Sequence, residues 1–116
     1  MSLTANRRAI AATLAAALGE AIPVVLDPRS VTPPCALVGP ATALDPALCG
    51  LSGVAAVYLI APGPGNADAL AIAESMLEAA YPVLQLAAPV QFDTYVTDPT
   101  GDTGLPCYVL EVLVTT

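Results

Sequence analysis

The side chains able to do chemistry in this chain are few. There are ten Asp and Glu, three Arg, three Cys and four Tyr, with neither His nor Lys. Glu74 and Glu78 form an i, i+4 carboxylate pair of the kind that can share acid–base work, but the pattern puts them on the solvated side of a helix. Asp93, Asp98 and Asp102 gather near one predicted hairpin tip, where hard oxygens suit Ca²⁺. Their spacing matches no calcium loop, and Asp-Pro and Asp-Thr-Gly are ordinary turn formers. Gly63-Pro64-Gly65 stands where a strand–helix phosphate loop would stand. Asp68 occupies the position of the third glycine and would repel phosphate at the helix start, so a structural loop is expected. Ser2, Ser30, Ser52 and Ser75 have no His to activate them. Cys35, Cys49 and Cys107 are odd in number, lack any C-x-x-C spacing and lie in apolar runs. Buried free thiols in a reducing compartment are expected, with a Cys35–Cys49 bridge as the alternative. The expectation is no catalytic residue, no cofactor and no metal: a protein that is not an enzyme.

Composition directs attention elsewhere. Hydrophobic residues make up 56% of the 116 residues and charged ones 11%, with a formal net charge of −7. A typical domain carries about 25% charged residues. One domain spanning 1–116 is expected, too apolar for a disordered tail and too poor in cations to hold nucleic acid by its phosphates. Twenty-three Ala, one Phe and no Trp make a small core, so part of the apolar surface is expected to be buried against other copies or partners. The longest uncharged stretch, Pro46–Ala67, is broken by Gly and Pro and is too interrupted for a spanning helix; no membrane contact is expected. Asn6-Arg7-Arg8 followed by an Ala/Leu run also has the form of a twin-arginine leader.

The elements that must carry these residues follow from periodicity. A first helix runs from a cap at Thr4 to about Leu18, with Gly19 ending it. Leu3, Ile10, Leu14 and Leu18 share its stripe, with Arg7 inside the stripe and Arg8 off it. Arg7 reads either as snorkelling from the first turn or as an ion pair to a neighbouring subunit. Ile22–Leu26 and Pro33–Pro40 read as short strands. Ala41–Leu51 reads as a loop or third short strand, with Asp45-Pro46 marking a turn. Val54–Ile60, apolar on both faces, reads as a central strand covered on both sides. A second helix over about 67–80, capped by Asn66, has Leu70, Ile72, Ala73, Met76, Leu77 and Ala80 on one face, and Tyr81-Pro82 stops it. Val90–Thr97 and Leu105–Thr115 read as a hairpin. Tyr108, Leu110, Val112 and Val114 lie on one face of its second strand; Cys107, Val109 and Leu113 share the other with Glu111. The expected fold is α+β: a mixed, mostly antiparallel sheet of about five strands with two packed helices, in the order α-β-β-(β)-β-α-β-β.

With its opening Thr4–Ile10 helix, the segment Val57-Tyr58-Leu59-Ile60-Ala61-Pro62 leading to Ala67-Asp68-Ala69-Leu70, and the closing Tyr108-Val109-Leu110-Glu111-Val112, this small acidic chain resembles the tail terminator proteins of long-tailed bacteriophages. The resemblance covers nearly the whole chain in element order. It implies a structural virion protein at the head–tail junction, made in the host cytoplasm: a homo-oligomeric ring, usually of six copies. Such a ring caps the tail tube, ends its polymerisation, and meets the major tail tube protein on one side and the head–tail connector on the other. DNA would pass through the lumen unheld, which suits an acidic channel. Contacts are expected at Arg7 and Arg8, at Pro62, Pro64 and Asn66, at Asp98 and Asp102, and at Val109, Glu111 and Leu113, the last strand contributing by edge pairing. Another neck component, head-closure or connector, is the alternative. From a different class, so is an exported small domain behind the leader-like N-terminus.

Overall fold

The computed structural model describes residues 2–47, 50–62, 67–96 and 104–115. The fold is α+β. Helix α1 (Leu3–Leu18) leads to a two-residue strand β1 (Val24–Val25), a 3₁₀ turn at Pro28–Ser30 and the long strands β2 (Cys35–Ala47) and β3 (Gly50–Ile60). Helix α2 (Ala69–Ala80), a 3₁₀ turn at Tyr81–Val83 and strands β4 (Gln91–Val96) and β5 (Gly104–Thr115) complete it. The sheet order is β1-β2-β3-β5-β4. β1 runs parallel to β2, and every other pairing is antiparallel.

The cap of α1 is Ser2 rather than Thr4: its Oγ accepts the Ala5 N–H at 3.0 Å, so the helix starts two residues earlier than a Thr4 cap implies. Gly19 ends it at φ +82°, a left-handed backbone that glycine adopts without a Cβ penalty. Helix α2 begins at Ala69 behind Asp68. Its buried stripe is Ala69, Ala73, Met76 and Ala80, while Leu70 is 51% exposed. Leu70 belongs to the edge of the stripe, one helical step beyond what the sheet covers. At Tyr81–Val83 the α-helix gives way to a 3₁₀ turn that contains Pro82. Tyr81 itself keeps helical angles, φ −62° and ψ −35°, so the proline ends the α-helix without moving the residue before it out of the helical region.

The largest difference from the sequence reading is at 41–51. β2 does not stop at Pro40; it continues through Asp45-Pro46 to Ala47 and pairs with β3 back to Gly50. Two register shifts, between Val38 and Ala41 and between Thr42 and Asp45, absorb the irregular residues. Pro is tolerated here because β1 pairs only at Ala36 and Leu37, leaving the outer side of β2 an edge where a missing N–H loses no ladder bond. The resulting β2–β3 ribbon contributes to an elongated body of 50 × 31 × 25 Å.

Both helices lie on one face of the sheet. Leu14 of α1 and Met76 and Ala80 of α2 pack with Ala36, Val38, Val57, Leu59, Leu110 and Val112 in the main core. These strand positions alternate with residues pointing the other way, and the opposite face carries a second cluster of Cys35, Leu37, Ile60, Leu105 and Cys107. No helix residue belongs to that cluster. The cover expected over both sides of Val54–Ile60 is therefore helical on one side only.

Candidate functional site

The helix-free face follows from the strand register. Ile60 faces Cys107, Tyr58 faces Val109, Ala56 faces Glu111, and Val54 faces Leu113 across the β3–β5 ladder. The expected division of β5 into two faces holds: Leu110, Val112 and Val114 are buried, while Glu111 and Leu113 are exposed. At the end near Cys107 the face covers itself. The Tyr58 and Tyr95 rings lie with centroids 5.7 Å apart at 57° and pack with Val25, Val31 and Val109 against the buried cluster. At the other end Val54, Ala56, Glu111 and Leu113 have no such cover, and Leu113 is 46% exposed.

Cys35 and Cys107 are free and buried. Burial pushes both thiols up, Cys107 to about 11, with the Asp93 carboxylate adding to the effect. Tyr95, beside them, is also raised by burial. Neither thiol ionises near neutrality, so neither is a ready nucleophile. Cys49 lies outside the described residues, and with it the alternative Cys35–Cys49 bridge. Among the described residues no buried side-chain N or O atom lacks a hydrogen-bond partner, and no group of three or more metal-ligating side chains forms. Glu74 and Glu78 stand exposed on α2.

At both sides of the sheet a side chain occupies outward backbone groups. At β2, Arg7 donates from Nε to the Gly39 carbonyl at 2.9 Å, and from one terminal nitrogen to the Val38 and Leu26 carbonyls at 3.0 and 3.1 Å. The guanidinium thus occupies the outward carbonyls where β1 has ended and β2 bulges. At β4, Asp93 accepts the Thr94 N–H at 2.7 Å. Thr94 faces Pro106, whose carbonyl is turned towards β3 and accepts the Ala61 N–H. By antiparallel alternation the Thr94 N–H therefore points away from β5, and the Asp93 carboxylate blocks it.

Edge pairing through the C-terminal strand, one of the sequence-based expectations, is closed off. β5 is flanked by β3 on one side and on the other by β4 and by Gln85–Ala87, which bonds at Glu111 and Leu113. The reason is topological: the last strand of the chain takes an inner position, between β3 and β4.

The expected contact residues fall into two groups. Arg7 is bound within the chain, and Arg8 is exposed on α1. Val109, Glu111 and Leu113 lie together on the helix-free face, across the sheet from both. Pro62 is half-buried just past β3. Pro64, Asn66, Asp98 and Asp102 lie outside the described residues. The sequence reading missed the Tyr58–Tyr95 pair, whose signal was present in the shared parity of the two strands, and the Asp93 cap, which had no signal beyond an acid in a strand.

A shallow groove of about 460 Å³ runs past Asp45, Ser52, Val54, Gln85 and Leu113. A smaller one of about 190 Å³ lies between α1 and the 83–85 segment, lined by Ile10, Thr13, Leu84 and Val112. Neither contains a constellation for chemistry. No helix among the described residues is long and apolar enough to cross a membrane. No known family model matches the chain, and no curated protein matches it either.

Proposed function

We propose that the chain is a structural virion protein, a tail terminator whose copies form a ring that caps the tail tube and joins it to the head–tail connector. The observation that carries this reading is the half-covered sheet. A face bearing Val54, Ala56 and exposed Leu113 lies opposite a helical layer, and among the described residues no group of three or more metal-ligating side chains forms. A surface of this kind is an interface in waiting. Rings close through heterologous contacts, one surface of each copy against a different surface of the next, and helix layer and bare face are two such surfaces.

Charge supports the rest of the reading. Of the three Arg, Arg7 is bound to backbone carbonyls and Arg29 is paired with Asp27 at 2.9 Å. The net charge of −7 makes the charge balance acidic, which would let DNA slide through a lumen without sticking. The major tail tube protein and the connector are the proposed partners on the two rims, and the virion neck the proposed location. Light scattering on the purified protein, with negative-stain microscopy of it and of native particles, tests this. A ring at the tail–head junction is the expected result. A ring on the connector side of the junction would reassign the protein to head closure, and absence from particles would overturn the reading.

A further inference from the structure

We propose that the helix-free face around Glu111 is the docking surface for helix α1 of a second copy of this chain, whose Arg8 meets Glu111. This rests on the ring reading and specifies its interface.

The first argument is elimination. Strand pairing between copies is opposed at both edges: by Arg7 on the Val38 and Gly39 carbonyls of β2, by Pro40 and Pro46 further along it, and by Asp93 on the Thr94 N–H of β4. These are the usual devices that keep sheet edges from associating. The inner face is filled by α1 and α2. What remains uncovered is the outer face.

The second argument is electrostatic. Glu111 sits in the middle of that apolar surface, opposite Ala56, with Val109 and Leu113 two residues away on its own strand. Its carboxylate has no cationic partner among the described residues. An apolar surface laid over it would strand a desolvated charge with no compensating partner. Whatever covers this face must bring a donor, and Arg is the side chain best suited to a partly desolvated carboxylate.

Arg8 answers that requirement. It is the arginine not engaged with a described acceptor, and it is exposed on the outward side of α1 among exposed Ala9, Ala12 and Ala16. A single cation in an alanine field fits a single anion in an apolar field. The short alanines let a helix approach the sheet closely. Because α1 and the bare face lie on opposite sides of the molecule, the contact is heterologous and propagates around a ring.

Charge reversal tests this by light scattering, with circular dichroism confirming that each variant is folded. Glu111→Arg alone and Arg8→Glu alone put like charges together, and each is expected to weaken assembly by about tenfold or more. The double variant Arg8→Glu/Glu111→Arg is expected to assemble as the wild type does. An equimolar mixture of the two single variants is also expected to assemble, because each then meets its opposite on both sides. Single variants that keep the wild-type mass, or a double variant and mixture that stay dissociated, overturn the proposal while leaving a ring formed by some other contact. A wild-type protein that stays at 11.6 kDa at millimolar concentration overturns the ring and this interface together.

Discussion

Arg7 shows how one side chain can serve the fold in a way its position in the sequence does not announce. Its place inside the apolar stripe of α1 is legible from spacing. The three carbonyls it reaches, at Leu26, Val38 and Gly39, come from segments 19 to 32 residues away, and only folding brings them to it. Arg7→Ala leaves these carbonyls unpaired and is expected to cost about 2–4 kcal/mol in urea unfolding, since hydrogen bonds from charged groups contribute about 1.5–3 kcal/mol net. Arg8→Ala, on the exposed side, should stay within about 0.5 kcal/mol. The thiols make a second residue-scale prediction. Burial holds Cys107 at about 11 against an ordinary value of 9.0. The folded state therefore keeps a proton that the unfolded chain gives up first. This contribution is complete below pH 9 and is lost as pH rises towards 11. Thermal melts should fall over that window, and less steeply in Cys107→Ala. At pH 8 Cys35 and Cys107, both buried, should react with alkylating reagent far more slowly in the native protein than in denaturant.

At the scale of elements, the second helix and the closing hairpin were readable because their periodicities run long enough to average out exceptions. Leu70 is such an exception: the pattern includes it, but the sheet does not extend beneath it. The long β2–β3 ribbon was not readable. Pro40, Asp45 and Pro46 are turn signals by local chemistry, and they enter a strand because β3 supplies a ladder on one side and nothing demands their N–H groups on the other. The hairpin contains one close approach that is testable. A Cβ on Gly104 would fall on the Thr94 Cγ2 methyl across the ladder. Gly104→Ala is expected to destabilise by about 1–3 kcal/mol through overpacking. Adding Thr94→Ser, which removes that methyl, should recover most of the loss in the same denaturation assay. Asp93 acts on the element as a whole. Asp93→Val uncaps the Thr94 N–H and adds a β-branched residue to an open edge, so faster aggregation, followed by light scattering, is expected.

For the whole molecule, the surplus of apolar residues divides between a core under two helices and a face that the helices leave bare. Tyr58 and Tyr95 close one end of that face; Val54, Ala56 and Leu113 at the other end have no such cover, and it is there that we propose a neighbour docks. Leu113→Asp introduces a second carboxylate beside Glu111 at an exposed position. It should leave the melting temperature within a few degrees of wild type while lowering the assembled mass in light scattering. If the mass is unchanged, assembly does not use this face.

The sequence by itself determined the class of the molecule. Alternation of apolar residues at periods of two and about 3.6 requires a sheet with helices, and a composition without His or Lys leaves carboxylates, thiols, hydroxyls and arginines as its reactive side chains, because those facts are local or compositional. It also showed that Cys107, Val109 and Leu113 share a face with Glu111, since that needs only strand geometry. The sequence also marked Val54–Ile60, within β3, as the central strand; that β5 is an inner strand too was decided by tertiary structure alone. β5 enters between β3 and β4, which ends its use as an edge and turns Val109, Glu111 and Leu113 into a flat surface. The place of β5 beside β3 depends on pairs from Ile60↔Cys107 to Ser52↔Thr115, far apart in the chain, for which no local pattern carries a record.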